Sequence, residues 1–229
     1  MIAAHWPSTV VFDLDGTLVD SSHDLADALN QLMATLGLAP FSVPEVVDFI
    51  GNGIPALITR GLSARGRPPD PDEMSGLLAT FRSFYVDCLT KSTKPYAGVV
   101  ELASNLTSRG IALGVCTNKE EALACGIVDN LGLRDHFTVV IGSKPDRPRK
   151  PSPVPLLETI AMLGGTPENS IMVGDSAVDV NCARNAGVAF VGVTFGYSRT
   201  PLASLGAGVA IDHFSEFGAA CEFLRGGAQ

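Results

Sequence analysis

The chain has 229 residues, 46% of them hydrophobic and 17% charged, with a formal net charge of −8. That is enough apolar material for one domain with an insertion or for two modest domains, and it excludes global disorder. The acidic balance argues against a broad nucleic-acid surface, and no apolar stretch is long enough to span a bilayer.

The first predicted element is a buried strand over Thr9-Val10-Val11-Phe12, an apolar run rich in β-branched residues. Asp13 and Asp15 follow, then Gly16 and Thr17. Side chains two apart on an extended segment point the same way, so the two acids share one space if the extension continues. Gly16 permits a sharp turn. Paired acids at the carboxyl edge of a strand sit where open α/β sheets bind ligands. Two close carboxylates repel unless a cation or a shared proton compensates. The pair reads either as a metal-assisted nucleophile with an acid/base, or as two solvated acids in a turn.

After Asp20 the period becomes helical. Leu25, Leu29, Leu32, Met33 and Leu36 predict a helix stopped by Gly37, with Ser21, Ser22 and Asp24 supplying capping chemistry at its start. Pro40–Pro44 predicts a turn, and Val46, Val47, Phe49 and Ile50 a short helix. Asn52-Gly53 precedes an amphipathic face of Ile54, Leu57, Ile58 and Leu62. Residues 63–71 read as a loop. Met74, Leu77, Leu78, Phe81, Phe84, Tyr85 and Leu89 form the inward face of a longer helix.

From Lys94 the chain alternates. A helix runs from Val99 to near Gly110, then a strand over Ile111–Cys116, a helix over Ala122–Leu131 and a strand over Phe137–Ile141. A helix over Pro155–Leu163 leads to a strand over Ile171–Val173 that ends in Gly174-Asp175. Val178–Ala186 is helical, Ala189–Val193 and Val209–Ile211 are strands, and Phe214–Leu224 is a last helix. The alternation predicts an α/β fold with a doubly wound, Rossmann-like parallel sheet. Its core comprises 1–19 and 94–229, and an α-helical cap over 20–93 is inserted after the first strand. Such an insertion would form a lid over Asp13 and Asp15.

Three later stretches carry chemistry. Thr117-Asn118 offers a hydroxyl and backbone amides that can hold phosphoryl oxygens, or a plain turn. In Arg149-Lys150-Pro151 a rigidly placed ammonium can neutralise developing charge, or lie in a solvated basic loop with Lys144 and Arg147. Asp175 follows a strand, with Asp179 four residues on. If a helix starts near Ser176, Asp175 caps it and Asp179 lies in its first turn; with Asp13, Asp175 also makes an oxygen-only site suited to Mg²⁺.

The five cysteines are odd in number and lack a Cys-x-x-Cys pair, which fits reduced thiols in a cytoplasmic protein. His5, His23, His136 and His213 lack metal-ligand spacing. Met1–Thr9 lacks a basic segment before a long apolar one, and Pro7 interrupts it, so it does not read as a signal peptide.

The run Asp13-Leu14-Asp15-Gly16-Thr17-Leu18 after Val-Val-Phe resembles the first motif of the haloacid dehalogenase-like hydrolases. Thr117-Asn118, Lys150 and Asp175 with Asp179 match the later motifs in order, and the helical block resembles that superfamily's first cap type. Ile50-Gly51-Asn52-Gly53, Val115–Lys119, Gly196-Tyr197 and Ala210-Ile211-Asp212 are similar to the phosphoglycolate phosphatases. Tyr96-Ala97-Gly98 departs from their usual Tyr-Pro-Gly.

The resemblance implies a Mg²⁺-dependent phosphatase acting on a small phosphomonoester. Asp13 would attack phosphorus and form an aspartyl-phosphate. Asp15 would be the acid/base, its backbone carbonyl a metal ligand; Thr117 and Asn118 would hold the phosphoryl group, and Lys150 stabilise charge. Asp13, Asp175 and Asp179 would complete the metal site, Asp179 directly or through water. A carboxylate on the substrate requires a second anion receptor. The helix N-terminus at Asn52 and Gly53 can serve, with Arg60 and Arg65 as further cations; Asn52 as a simple cap is the alternative. Monomer and homodimer both fit. Another phosphatase, a phosphosugar mutase or a dehalogenase of the superfamily remain alternatives, as does a phospho-receiver domain, against which the insertion and Asp15-Gly16-Thr17 argue.

Overall fold

The computed structural model describes residues 6–226; His5 and most of the N-terminal stretch discussed above lie outside the described residues. In chain order, β1 (Thr9–Phe12) and β2 (Val19–Asp20) precede α1 (Ser22–Thr35), α2 (Val43–Val47), α3 (Ile54–Ala64) and α4 (Met74–Asp87). Then come β3 (Lys94–Pro95), α5 (Val99–Ser108), β4 (Ala112–Glu120), α6 (Glu121–Asn130), β5 (Phe137–Ser143) and α7 (Val154–Met162). β6 (Ser170–Gly174), α8 (Ala177–Ala186), β7 (Ala189–Val193), β8 (Ala210–Ile211) and α9 (Phe217–Gly226) complete the order. Two compact units result: Met1–Val19 with Pro95–Gln229, and Asp20–Lys94.

The first unit is α/β. Its six-stranded sheet has the order β5-β4-β1-β6-β7-β8, and every adjacent pair is parallel. β1 lies at the centre because its four residues are apolar or small and all buried, which only an interior strand of a two-faced sheet requires. Its side chains alternate between two layers. Val11 packs with Leu156, Ile160, Val180 and Ala183 of α7 and α8. Phe12 meets Phe137, Phe214 and Phe217 at ring-centroid distances of 5.6, 6.3 and 6.4 Å on the other side. The chain leaves β1 for β4 on one flank and later returns to β6 on the other. That reversal is a topological switch point, where the carboxyl ends of strands diverge and leave a crevice.

β4 extends four residues beyond the predicted Cys116. Cys116 pairs with Ile141 and Glu120 with Ser143, so three residues of β4 stand opposite one of β5. A bulge of this kind bends the strand and re-aims its side chains. Sequence period could not reveal it, because Thr117, Asn118 and Lys119 are polar yet buried.

The second unit is helical between its ends. α1 packs on α4 and α2, and α3 packs on α4. Ile54, Leu57, Ile58 and Leu62 of α3 are buried, as are Leu77, Phe81 and Tyr85 of α4. Asp24 does not cap α1. It is fully buried and accepts from Ser92 N–H (2.9 Å), Thr93 N–H (2.8 Å) and the Thr93 hydroxyl (2.6 Å), tying the start of the unit to its end. Asp20 instead accepts from the first turn of α1, through Ser22 N–H and Oγ. Among the described residues, no helix is long and apolar enough to cross a membrane.

Candidate active site

β1 delivers Asp13 to the carboxyl edge of the sheet, where Asp13 N–H donates to Val173 O of β6 at 2.9 Å. The chain then turns tightly, with Leu18 and Val19 N–H both donating to Leu14 O. Gly16 is required in this turn for two reasons. Its φ is +82°, and a Cβ there would stand 2.8 Å from Asp175 Oδ2 and 2.9 Å from the Tyr197 ring. The turn is therefore packed directly against Asp175, the residue that follows β6.

Asp175 does not cap α8. Ser176 is the cap, and its hydroxyl and N–H exchange hydrogen bonds with Asp179. Asp175 is left to face the crevice, nearly fully buried. Its Oδ1 accepts from the Thr17 hydroxyl at 3.3 Å, and its Oδ2 accepts from the N–H groups of Tyr197 (2.7 Å) and Ser198 (3.3 Å). Gly196 makes this possible, since a Cβ there would collide with Asp175 and the Gly16 carbonyl. Thr17 and the segment from Gly196 to Ser198 thus fix Asp175, a role that the sequence expectations did not assign.

Lys150 is the central cation. Its side chain is 2% exposed, and Nζ lies 2.6 Å from Asp179 Oδ1 and 2.9 Å from Asp13 Oδ1. The side chain of Asn118 holds the Lys150 backbone at both ends: Nδ2 donates to Lys150 O at 3.0 Å, and Oδ1 accepts from Lys150 N–H at 2.9 Å. The Asn118 amide is therefore taken up in placing Lys150. The rest of the basic cluster turns elsewhere. Lys144 and Arg147 pair with Glu121, and Arg147 also with Glu158. Arg149 is exposed.

A second buried ammonium enters from β4. Lys119 Nζ contacts both carboxylate oxygens of Asp15, at 2.9 and 3.0 Å, with only 3% of its side chain exposed. The Lys119 N–H also donates to Thr117 Oγ1 at 3.2 Å. In the sequence Lys119 stands only as part of the Val115–Lys119 motif, with no role of its own, because its partner is 104 positions away.

The electrostatics leave negative charge uncompensated. Asp13, Asp15, Asp175 and Asp179 face two ammoniums, so two negative charges remain at full ionisation. Burial, opposed by Lys150 and reinforced by Asp179, pushes the Asp13 carboxyl up to about 6. Burial, with Asp179 and Asp13 nearby, pushes Asp175 up to about 7. Desolvation lowers and the paired carboxylates raise the Lys150 ammonium, which ends well above its ordinary value and stays charged. Cys116 and Cys182, close by, are pushed above the ordinary thiol range chiefly by burial, which makes them poor nucleophiles.

A hard divalent cation fits this set. Asp13, Asp175 and Asp179 each offer an oxygen, all within 4.8 Å of one another. Asp13 Oδ1 is buried, and the ammonium it meets, Lys150 at 2.9 Å, is shared with Asp179. The donors are oxygens alone, which favours Mg²⁺ over thiophilic or imidazole-seeking metals. The Asp15 carboxylate, held by Lys119, does not join this trio.

Asn52 and Gly53 belong to the helical unit. Gly53, at φ +85°, is the N-cap of α3, and Asn52 itself takes φ +63°, so Asn52 is not the cap. Arg60 Nη1 donates to the carbonyls of Phe49, Ile50 and Gly51, closing the loop before it. Arg65 donates to Ala39 O and Pro40 O and stacks on Phe41, 3.6 Å from the ring centroid. Both arginines hold backbone rather than stand ready as anion receptors.

A family model described as haloacid dehalogenase-like hydrolase matches residues 10–193. Phosphoglycolate phosphatase from Rhodospirillum rubrum is 41% identical over 216 residues, covering 93% of this chain and 90% of that one. The enzyme of the same name from Caulobacter vibrioides is 38% identical, covering 93% and 90%. The crystal structure of a predicted phosphoglycolate phosphatase from Haemophilus somnus superposes with a TM-score of 0.85 at 30% identity, covering 92% of this chain and 96% of the other.

Proposed function

The chain belongs to the haloacid dehalogenase-like hydrolase family and is a phosphoric monoester hydrolase, and we propose that its substrate is 2-phosphoglycolate, cleaved to glycolate and phosphate through an aspartyl-phosphate. The observation that carries this is the convergence of Asp13, Lys150, Asp175 and Asp179 at the switch point of the sheet. The names of the relatives point to the ester.

In this mechanism an Asp13 oxygen attacks phosphorus, the bond from phosphorus to the ester oxygen breaks, and the leaving alkoxide takes a proton from Asp15. Water then attacks the phosphorus of the aspartyl-phosphate, gives its proton to Asp15, and the phosphorus–Asp13 bond breaks to release phosphate. Lys150 holds Asp13 in place and offsets the charge on the phosphoryl oxygens. The Thr117 hydroxyl and the Asn118 N–H hold those oxygens. Mg²⁺, held by Asp13, Asp175 and the Asp15 carbonyl with Asp179 in support, would neutralise phosphoryl charge when bound. Residues Asp20–Lys94 act as the cap, and the N-terminus of α3 at Asn52 and Gly53 receives the substrate carboxylate. Gly53 supports this by leaving that backbone without a side chain to cover it.

A panel of phosphate esters, each assayed with Mg²⁺ and with EDTA, tests the reading. The expected result is Mg²⁺-dependent turnover with the highest kcat/KM on 2-phosphoglycolate, and a phosphoryl adduct on the peptide containing Asp13 after acid quench. A bisphosphate-dependent isomerisation without net phosphate release would point to a mutase instead.

A further inference from the structure

We propose that Lys119 is a positioning residue for the reaction: it holds the Asp15 carboxylate at the leaving-group side of the site. The proposal rests on the phosphatase reading above, in which Asp15 is the acid/base.

Three observations carry it. The ammonium of Lys119 spans both Asp15 oxygens with its side chain almost wholly buried. An ammonium is withdrawn from water at high cost unless something holds it, so the pair is built rather than incidental. The bulge in β4 supplies the aim: three residues opposite one on β5 put Lys119 and Thr117 out of the regular ladder. Gly142 stands opposite the bulge, where any Cβ would crowd Lys119 O and the backbone of Glu121. Finally, Lys119 N–H donates to the Thr117 hydroxyl, so one residue ties the acid/base to the proposed phosphoryl-binding group.

The pair is not needed to join β1 to β4, which already share four registered residue pairs. Its effect is on geometry. The ammonium contacts both oxygens of the carboxylate and so fixes the plane in which Asp15 presents them. Without Lys119, Asp15 loses that two-point hold, and general acid catalysis needs hydrogen-bond contact.

The test separates this from a structural role by the demand of the leaving group. First-turnover rates are measured with Mg²⁺ for 2-phosphoglycolate, whose alkoxide leaves only with a proton, and for p-nitrophenyl phosphate, whose phenolate leaves without one. Asp15→Asn is expected to slow the alkyl ester by roughly 10²–10⁴-fold and to spare the nitrophenolate burst. Lys119→Met should show the same selectivity, losing about tenfold or more on the alkyl ester, and Lys119→Arg should recover much of it. Adding Lys119→Met to Asp15→Asn should cost nothing further. Equal losses on both esters, or none, overturn the proposal while a selective Asp15→Asn leaves the acid/base reading standing. If Asp15→Asn is itself unselective, that reading falls and the proposal with it. Should Lys119→Met fail to fold, Lys119→Gln, which keeps donors without charge, carries the same comparison.

Discussion

Asp24 in the helical unit and Asp13 in the sheet unit are both withdrawn from water, and their surroundings treat them in opposite ways. Asp24 receives three donors and sits in a closed polar cage. Asp13 Oδ1 meets the Lys150 ammonium, which it shares with Asp179, and the carboxyl is pushed up to about 6. Asp175 has more donors than Asp13 and is still pushed up to about 7. Satisfied buried carboxylates stabilise a fold; incompletely satisfied ones are held there by the rest of the structure and mark where chemistry is done. The arginines follow the same division. Arg60 and Arg65 close backbone loops in the helical unit, whereas Lys119 and Lys150 meet only partly neutralised acids in the sheet unit.

The contrast is broken most sharply at Asp13. Asp13→Asn should abolish turnover while leaving the thermal midpoint close to that of the parent. Near-native turnover by the purified variant would falsify the covalent mechanism. Asp175→Asn comes next. It should remove Mg²⁺-dependent turnover, and thorough chelation of the parent should do the same until Mg²⁺ is restored; full activity in EDTA would favour dehalogenase-like chemistry.

Asp175→Asn should also stabilise the chelated protein above neutral pH. Asp13 and Asp175 titrate higher in the folded state than in the unfolded chain, so between about pH 4 and pH 7 the folded state binds more protons. Stability of the chelated parent therefore falls as pH rises through that window. Removing one of the two acids should flatten the fall, as read by denaturant midpoints at pH 5 and pH 8. An unchanged slope would mean that Asp175 is not under the strain its burial implies.

Asn118→Ala addresses the placement of Lys150 without touching its charge. The variant leaves Lys150 N–H and O without their buried partner. Losing an outer partner that orients a working group typically costs 10–100-fold, and here the loss should fall on kcat with KM little changed. A pure KM effect would give the Asn118 side chain, and not only its N–H, a direct role on the phosphoryl group.

Much of this arrangement is legible from sequence, and the limits have physical causes. β1, β6 and β7 announce themselves as apolar β-branched runs because both faces of the sheet are covered. Asp175 looks like a helix cap because Asp before a helix usually is one; Ser176 one position later takes that task and leaves Asp175 to the site. The β4 bulge is invisible because its residues are polar and its cause is a mismatch with a strand that lies later in the chain. Lys144 and Arg147 look like a patch for an anion because their partners, Glu121 and Glu158, are not adjacent to them in sequence. In each case local pattern identifies the residue type and the long-range partner decides its use.

In the helical unit, Asp24→Ala should cost stability instead of chemistry. Three donors would lose their acceptor, and stranding buried donors costs about 1–3 kcal/mol each at most, with partial repair by water. The melting midpoint should fall while Mg²⁺ affinity of the folded protein is unchanged; a loss of Mg²⁺ affinity would show that the cage also serves the site.

The smallest effect is expected at Gly53, where the helical unit meets function only through the proposed carboxylate contact. Gly53 takes φ +85°, so a bulky residue there both strains the backbone and covers the first turn of α3. Ala at this position carries most of the strain with little of the cover, and separates the two effects. Going from Gly53→Ala to Gly53→Phe should lower kcat/KM for 2-phosphoglycolate severalfold more than for p-nitrophenyl phosphate, because only the former has a carboxylate to place. An equal loss on both esters, with folding and Mg²⁺ affinity unchanged, would assign the position to closure of the cap rather than to reading the substrate. The helical unit would then serve as a lid without reading the substrate, and every charged contact of the reaction would lie in the sheet unit.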